Sequence, residues 1–268
     1  MFRFGMKEKI LQSFRSRMLI TLDKITKTVF KKYYLTWPEI DWFYNKSFED
    51  YLKIFNEYNG FNAYRRYILL QLLRLVEDVP GDTAECGVYK GASSWLILAA
   101  NSANKRIPNK IHHMFDSFEG LSKPKEVDGI HWKEGDLKAR EEEVIENLKP
   151  FKGKFKIYKG WIPYRFQEVK YLKFSFVHID VDLYQPTFDS IAFFYDRVND
   201  GGIILCDDYG FSSCPGATKA INEFLEDKPE KMIYLPVGGG FIIKGLRTSE
   251  DIDLSQFIKE AINVRQTA

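Results

Sequence analysis

The strongest constraint on the fold is the alternation of short apolar segments with helical segments from residue 83 onward. Strand–helix–strand repeats predict a doubly wound, mostly parallel sheet with helices on both faces. The last two strand candidates flank a run of three glycines, which predicts a C-terminal hairpin. The predicted strands are Thr83–Val88, Lys110–Phe115, Lys154–Tyr158, Phe174–Ile179, Gly202–Cys206, Met232–Val237 and Phe241–Lys244. The predicted helices between them are Ser93–Ala100, 138–149, Thr187–Val198 and Pro215–Glu226.

Amphipathic helices are predicted ahead of this alternation, over residues 47–58 and 64–77. The second is predicted to end at Val79-Pro80-Gly81, because proline and glycine interrupt a helix. We therefore divide the chain into an N-terminal basic, helical extension at 1–63 and a second domain at 64–268.

The first 34 residues hold nine basic and two acidic residues, a net charge of +7 in a chain whose net charge is +2. The remainder therefore carries −5. Apolar residues recur in this basic arm at roughly helical spacing, so the arm could contact an anionic membrane surface or an acidic partner. The alternative is a helix packed on the body or on a second subunit. Aromatic residues concentrated in 28–58 predict a homodimer or larger homo-oligomer.

The composition of the chain excludes several classes of protein. The chain has 268 residues, of which 45% are hydrophobic and 28% charged, which excludes intrinsic disorder. No apolar run approaches the length of a membrane span. The three cysteines form neither a CxxC pair nor a zinc pattern, so we expect a cytoplasmic protein. The small net charge gives no argument for nucleic-acid binding, and no such partner is expected.

The ends of the first two predicted strands carry residues suited to an adenosine-containing ligand. Glu85 and Gly87 end the first strand, and Gly87 allows a tight turn and a close backbone approach. Asp116 and Ser117 follow the second strand, where a carboxylate can accept hydrogen bonds from ribose hydroxyls. A glycine turn and a capping aspartate also occur for purely structural reasons.

Four carboxylates follow two later strands that we expect to be neighbours: Asp180, Asp182, Asp207 and Asp208. Neighbouring strands lie about 4.8 Å apart, so these oxygens can converge on one ion. All-oxygen ligation favours Mg²⁺, Mn²⁺ or Ca²⁺ over zinc. The alternative is that individual aspartates cap helices or pair with basic residues. His112, His113 and His178 lie on strands, and we interpret them as core or edge residues.

At these motifs the chain resembles the macrocin O-methyltransferase (TylF) family, from about Tyr64 to Gly245. The resemblance implies a Rossmann-like class I methyltransferase fold and Mg²⁺-dependent transfer of a methyl group from S-adenosylmethionine (SAM) to a sugar hydroxyl. The basic arm lies outside it. The motifs that carry it are Glu85-Cys86-Gly87-Val88, Phe115 to Leu121, Lys159-Gly160-Trp161, His178 to Tyr184, Asp207 to Gly210 and Cys214-Pro215-Gly216.

The resemblance also implies a role for individual residues. Asp182 would be the general base. Catechol-type methyltransferases have a lysine at the position of Leu183, so the base must come from elsewhere in this chain, and Asp182 is the nearest candidate. The implied metal ligands, for Mg²⁺ or Mn²⁺, are Asp180, Asp207 and Asp208. The residues implied to line the SAM site are Glu85, Gly87, Ser93, Asp116, Ser117, Gly160 and Trp161.

Two other functions compete with this interpretation. Asp180-Val181-Asp182 is formally a DxD element, which in metal-dependent glycosyltransferases holds Mn²⁺ against a nucleotide sugar. A non-catalytic binding protein on a methyltransferase fold is the second alternative. Fold analogy does not select the acceptor, which is a saccharide or another small molecule. An antibiotic sugar, a surface polysaccharide sugar and a non-sugar alcohol or phenol all stay open.

Overall fold

A computed structural model of the chain describes residues 6–29, 42, 45–58, 62–249, 253–255 and 257–259. The chain divides into two compact units, Met1–Ile54 and Phe55–Ala268. The first contains helices α1 (Met6–Val29) and α2 (Lys46–Ile54). Of the aromatic residues at 30–44 that favoured a homodimer, only Trp42 lies within the described residues, and the oligomer stays a prediction. Among the described helices, none has the length and apolarity needed to cross a membrane.

The second unit contains one seven-stranded sheet in the order β3-β2-β1-β4-β5-β7-β6. Strands β1 to β5 pair in parallel, and β7 pairs antiparallel with both β5 and β6. The predicted doubly wound, mostly parallel sheet with a C-terminal antiparallel hairpin is therefore confirmed. The strands are β1 (Asp82–Cys86), β2 (His112–Asp116), β3 (Phe155–Lys159), β4 (Phe174–Ile179), β5 (Val198–Cys206), β6 (Ile233–Tyr234) and β7 (Gly240–Ile243). The helices of this unit are α3 (Asn62–Leu75), α4 (Ala92–Ala103), α5 (Glu141–Asn147), α6 (Tyr184–Tyr195) and α7 (Pro215–Leu225).

Among the predicted boundaries that differ from the structure, two differ for long-range reasons. Helix α6 begins at Tyr184, three residues before the predicted start at Thr187, because the Asp128 carboxylate accepts a hydrogen bond from the Tyr184 amide at 2.7 Å. This cap comes from a distant loop. Strand β5 begins at Val198 instead of Gly202, because Val198 pairs with Phe174 across a register shift.

The strand order changes direction between β1 and β4, which is where doubly wound sheets place their ligands. Every residue of β4 is buried, so this strand lies in the centre of the core. The crevice therefore forms next to the most buried strand of the sheet. Cys86 pairs with Ile179, and Ile179 pairs with Cys206. Cys86 also pairs with Phe115, so the residues that come next in the four strands lie at the same edge of the sheet, in the order Asp116, Gly87, Asp180 and Asp207.

The turn after β1 has room only for glycine. Gly87 has a φ of +83°, and a Cβ added to it would lie 1.8 Å from the carbonyl oxygen of Asp180. The glycine therefore lets the β1 turn approach the end of β4 directly. Gly135 has nearly the same φ, +84°, but no atom lies within 4 Å of its added Cβ.

These two glycines give a matched test of the close approach. We expect Gly135→Ala to cost only the left-handed backbone, about 1–2 kcal/mol. Gly87→Ala should cost about 1–3 kcal/mol more, because the methyl group overpacks the turn against β4. Urea unfolding of both variants measures the two free energies. Equal losses of stability would show that the Gly87 turn moves freely away from β4.

Candidate active site

A cavity of about 600 Å³ lies at this edge of the sheet, within the unit Phe55–Ala268. Its walls come from the turns after β1, β2, β3, β4 and β5, from α3 and from the loop that contains Trp132. Nine residues singled out from the sequence line it: Gly87, Ser93, Asp116, Ser117, Gly160, Trp161, Asp180, Asp182 and Asp208. Glu85 and Asp207 were predicted to belong to the site but do not line the cavity.

Asp116 organises one side of the cavity. Its carboxylate accepts hydrogen bonds from the backbone amides of Val88 and Tyr89, at 2.7 and 3.0 Å, and of Phe118 at 2.7 Å. Asp116 therefore fixes the glycine turn after β1 as well as its own turn. A carboxylate has about four acceptor positions, so one stays free for a ligand that enters the cavity.

Glu85 lies in the core instead of at the cavity surface. Its side chain is fully buried, and it accepts hydrogen bonds from Ser94, from Nδ1 of His178 at 2.9 Å and from Nε2 of His112 at 3.4 Å. Burial alone would raise the pKa of Glu85, but the hydrogen bonds from the two histidines outweigh it and lower the pKa. The carboxylate of Glu85 thus pairs with core histidines and does not line the cavity, and its part in the SAM site stays a prediction.

His178 extends this buried network toward the acidic cluster. The residue lies in the core, as interpreted from the sequence, and its Nε2 is 3.7 Å from the Asp207 carboxylate. Burial would lower the pKa of His178, but the nearby carboxylate of Asp207 and the hydrogen-bonded carboxylate of Glu85 raise it to about 10. His178 is therefore charged at neutral pH, and it separates two buried carboxylates that would otherwise repel each other.

The acidic cluster consists of Asp180, Asp182, Asp207 and Asp208. Arg65, which sequence reasoning missed, projects from α3 and forms an ion pair with Asp207. The same guanidinium lies 3.8 Å from Asp180. The sequence signal that could have found it is a basic pair, Arg65-Arg66, at the start of an otherwise apolar helix.

Burial raises the pKa of three of these carboxyl groups. It raises the pKa of Asp180 to about 7, that of Asp182 to about 6, and that of Asp208 well above its usual range. Burial acts in the same direction on Asp207, but Arg65 outweighs it and holds the pKa well below its usual value. Arg65 and His178 therefore neutralise only part of the cluster, and its four carboxylates offer the oxygen donors that a hard divalent cation prefers.

The candidate ligand atoms fall into two groups, each with its atoms within 4.8 Å of one another. One group contains His178, Asp180 and Asp207, and the other contains Asp182, Asp208 and Cys214. The three predicted metal ligands are therefore divided between the groups.

Asp208 also holds the backbone of its neighbour Asp182. One Asp208 oxygen accepts hydrogen bonds from the amides of Val181 and Asp182, at 3.0 and 2.7 Å. Asp182 has a φ of +58°, an uncommon conformation that needs such support. Its carboxylate is 3.5 Å from the Cys214 thiol, which in turn accepts a hydrogen bond from the Trp132 indole at 3.3 Å. Asp182 is therefore a separately held carboxylate beside the Asp180–Asp207 pair.

Solved structures with this fold include two methyltransferases. The calicheamicin methyltransferase CalS11 is 18% identical, covers 91% of this chain and 96% of its own, and has a TM-score of 0.63. The O-methyltransferase NovP is 23% identical, covers 70% of this chain and 83% of its own, and has a TM-score of 0.55. At these identities the likeness establishes the fold.

Curated relatives match over roughly half of this chain. Demethyldecarbamoylnovobiocin O-methyltransferase of Streptomyces niveus is 27% identical over 158 residues, which is 55% of this chain and 59% of the relative. A 4′-O-methyltransferase of Streptomyces olivaceus, which acts on 8-demethyl-8-(2,3-dimethoxy-alpha-L-rhamnosyl)-tetracenomycin C, is 28% identical over 153 residues. That match covers 53% of this chain and 58% of the relative. The chain thus spans less than two thirds of the length of these relatives.

The sequence pattern of one family covers most of the sheet and both sides of the cavity. It matches residues 69–235, which extend from within α3 through β6. The chain therefore belongs to the macrocin-O-methyltransferase (TylF) family.

Proposed function

We propose that this chain transfers the methyl group of S-adenosylmethionine to a hydroxyl group of a saccharide or other small-molecule acceptor, with a bound Mg²⁺ or Mn²⁺. The observation that carries the proposal is that one cavity is lined both by Gly87 and Asp116 and by three members of the acidic cluster, Asp180, Asp182 and Asp208. Family membership supports the same reaction class, and so do the names of the relatives, which are O-methyltransferases of a novobiocin derivative and of a rhamnosyl tetracenomycin.

The Gly87–Asp116 side is suited to the cofactor. Gly87 lines the cavity in the turn after β1, and Asp116 has an acceptor position available for ribose hydroxyls. Ser93, Ser117, Gly160 and Trp161 line the same cavity and complete the proposed SAM site. Glu85 would act indirectly, since it fixes the end of β1 from within the core.

The acidic cluster would bind the cation and accept the proton of the acceptor hydroxyl. Asp180, Asp207 and Asp208 would hold the divalent cation, which supplies a lower pKa for a hydroxyl bound next to it. Asp182 would accept the hydroxyl proton as the acceptor oxygen bonds to the methyl carbon and the bond from that carbon to sulfur breaks. The raised pKa of Asp182, about 6, suits a base that operates near neutral pH.

The working unit would be a homodimer in the cytoplasm. The aromatic-rich segment at 28–58 supports the first part of this proposal. The second part is supported by the cysteines Cys86, Cys206 and Cys214, which are all buried and free of disulfide bonds.

The reaction itself is tested with the full chain, SAM, Mg²⁺ and a panel of glycosylated acceptors. We expect mass spectrometry to detect an acceptor heavier by one methylene unit, and chelation of the metal to stop its formation. In parallel, calorimetry should detect binding of SAM in the presence or absence of metal. Binding of a nucleotide sugar with Mn²⁺ and no binding of SAM would favour the glycosyltransferase interpretation instead.

Asp116 gives a test of the cofactor site. We expect Asp116→Ala to weaken SAM binding by about 1.5–3 kcal/mol, because a charge-assisted acceptor for the ribose is lost. Asp136→Ala is the matched control, since Asp136 is also half-buried and accepts a backbone hydrogen bond, from the Lys133 amide, but does not line the cavity. Calorimetric titration measures both affinities. A folded Asp116→Ala protein with wild-type SAM affinity would remove this residue from the site.

Asp182 and Asp180 are distinguished by two asparagine substitutions. Asparagine tolerates a positive φ, so Asp182→Asn keeps the backbone of the turn while it removes the basic oxygen. We expect turnover to fall about 10²–10⁴-fold, with metal and SAM affinity nearly unchanged. Asp180→Asn should instead weaken Mg²⁺ binding, and excess Mg²⁺ should restore part of the activity.

Metal affinity of both variants is measured with Mn²⁺ by electron paramagnetic resonance, and turnover with the acceptor identified above. If Asp182→Asn loses as much metal affinity as Asp180→Asn, then Asp182 is a metal ligand and the base lies elsewhere.

A further inference from the structure

Helix α1 exposes a continuous row of apolar side chains, here called the apolar stripe. Its members are spaced three or four residues apart, so they share one face of the helix. Each is between 42% and 65% exposed, whereas a helix packed in a protein core buries such a face. The apolar stripe consists of Phe14, Met18, Leu22, Ile25 and Val29.

The threonine hydroxyls of α1 need no water as a partner. Each donates a hydrogen bond to the carbonyl oxygen four residues earlier, at 2.8–2.9 Å. A hydroxyl that is already hydrogen-bonded costs much less to transfer into an apolar medium. These polar groups therefore do not oppose burial of the helix: Thr21, Thr26 and Thr28.

The charge of the chain is separated along the sequence. Residues 1–34 carry +7 and the remainder carries −5. On α1, the exposed Arg17 and Lys24 are seven residues apart and thus lie on one side of the helix. An anionic surface would attract the arm and repel the remainder, so the arm is the part of the molecule that complements it.

We propose that α1 lies in the headgroup region of an anionic phospholipid bilayer, with the apolar stripe directed into the membrane. A helix that combines an apolar face with basic residues binds in this orientation without crossing the bilayer. This matches the lack of a membrane-spanning helix among the described residues. The family match begins at residue 69, so this inference is independent of the proposed methyl transfer.

The binding test is flotation of the full chain with phospholipid vesicles. We expect it to float with vesicles of phosphatidylglycerol and phosphatidylcholine, and not with phosphatidylcholine alone. High salt should reduce the bound fraction, because screening weakens the attraction of the basic residues. No flotation with anionic vesicles at low salt would overturn the proposal, as would equal binding to both vesicle types.

Substitutions separate the apolar stripe from the rest of α1. Phe14→Ser combined with Ile25→Ser should lower the partition coefficient about 100-fold, since two apolar side chains no longer enter the lipid. Ile20→Ser is the matched control, because Ile20 is 54% exposed but lies off the apolar stripe, and it should bind like the wild type. Arg17→Glu combined with Lys24→Glu should weaken binding to anionic vesicles at least about tenfold.

Sedimentation and circular dichroism of the same variants complete the test. The circular dichroism spectra should be unchanged, since the substituted side chains are exposed. An equal loss of flotation in the Ile20→Ser control would overturn the proposal. So would a Phe14→Ser/Ile25→Ser variant that turns a dimer into a monomer and floats as before, because a second copy of the chain would then cover the apolar stripe.

Discussion

A row of buried charges of alternating sign determines the geometry of the candidate active site. Glu85 on β1, His178 on β4, Asp207 after β5 and Arg65 on α3 contact one another in that order. Loss of one member would leave a buried neighbour with part of its charge uncompensated, and breaking a buried ion pair in this way costs about 3–5 kcal/mol. The row therefore connects three strands and a helix at the edge where the cavity forms.

Asp208 contributes both to the fold and to the proposed reaction. Its carboxylate clamps the amides of Val181 and Asp182, so the position of the proposed base depends on a residue that is also a proposed metal ligand. The raised pKa values of Asp180 and Asp182 have the same origin, since burial removes these carboxyl groups from water. The same side chains thus support the fold and form the proposed cation site.

Much of this arrangement follows from local sequence patterns. Strand β4 begins and ends where its apolar run predicts, and the parallel sheet brings Asp180 and Asp207 to one edge. The burial of Glu85 could not be predicted, because the sequence pattern does not reveal that its carboxylate meets two histidines of the neighbouring strands. The start of α6 was misplaced because its cap, Asp128, comes from 56 residues earlier in the chain. In both cases the deciding contact is long-range.

The contact between Arg65 and Asp207 has a consequence for protein synthesis. The two residues are 142 positions apart, so the ribosome adds strands β1 to β5 after Arg65 before its partner exists. Until then Arg65 has no Asp207 carboxylate to pair with. Burial of the guanidinium by the first strands alone would therefore have a large cost in free energy. The candidate site is therefore among the last parts of the nascent chain to assemble, and chains truncated before residue 207 lack the contact that closes it.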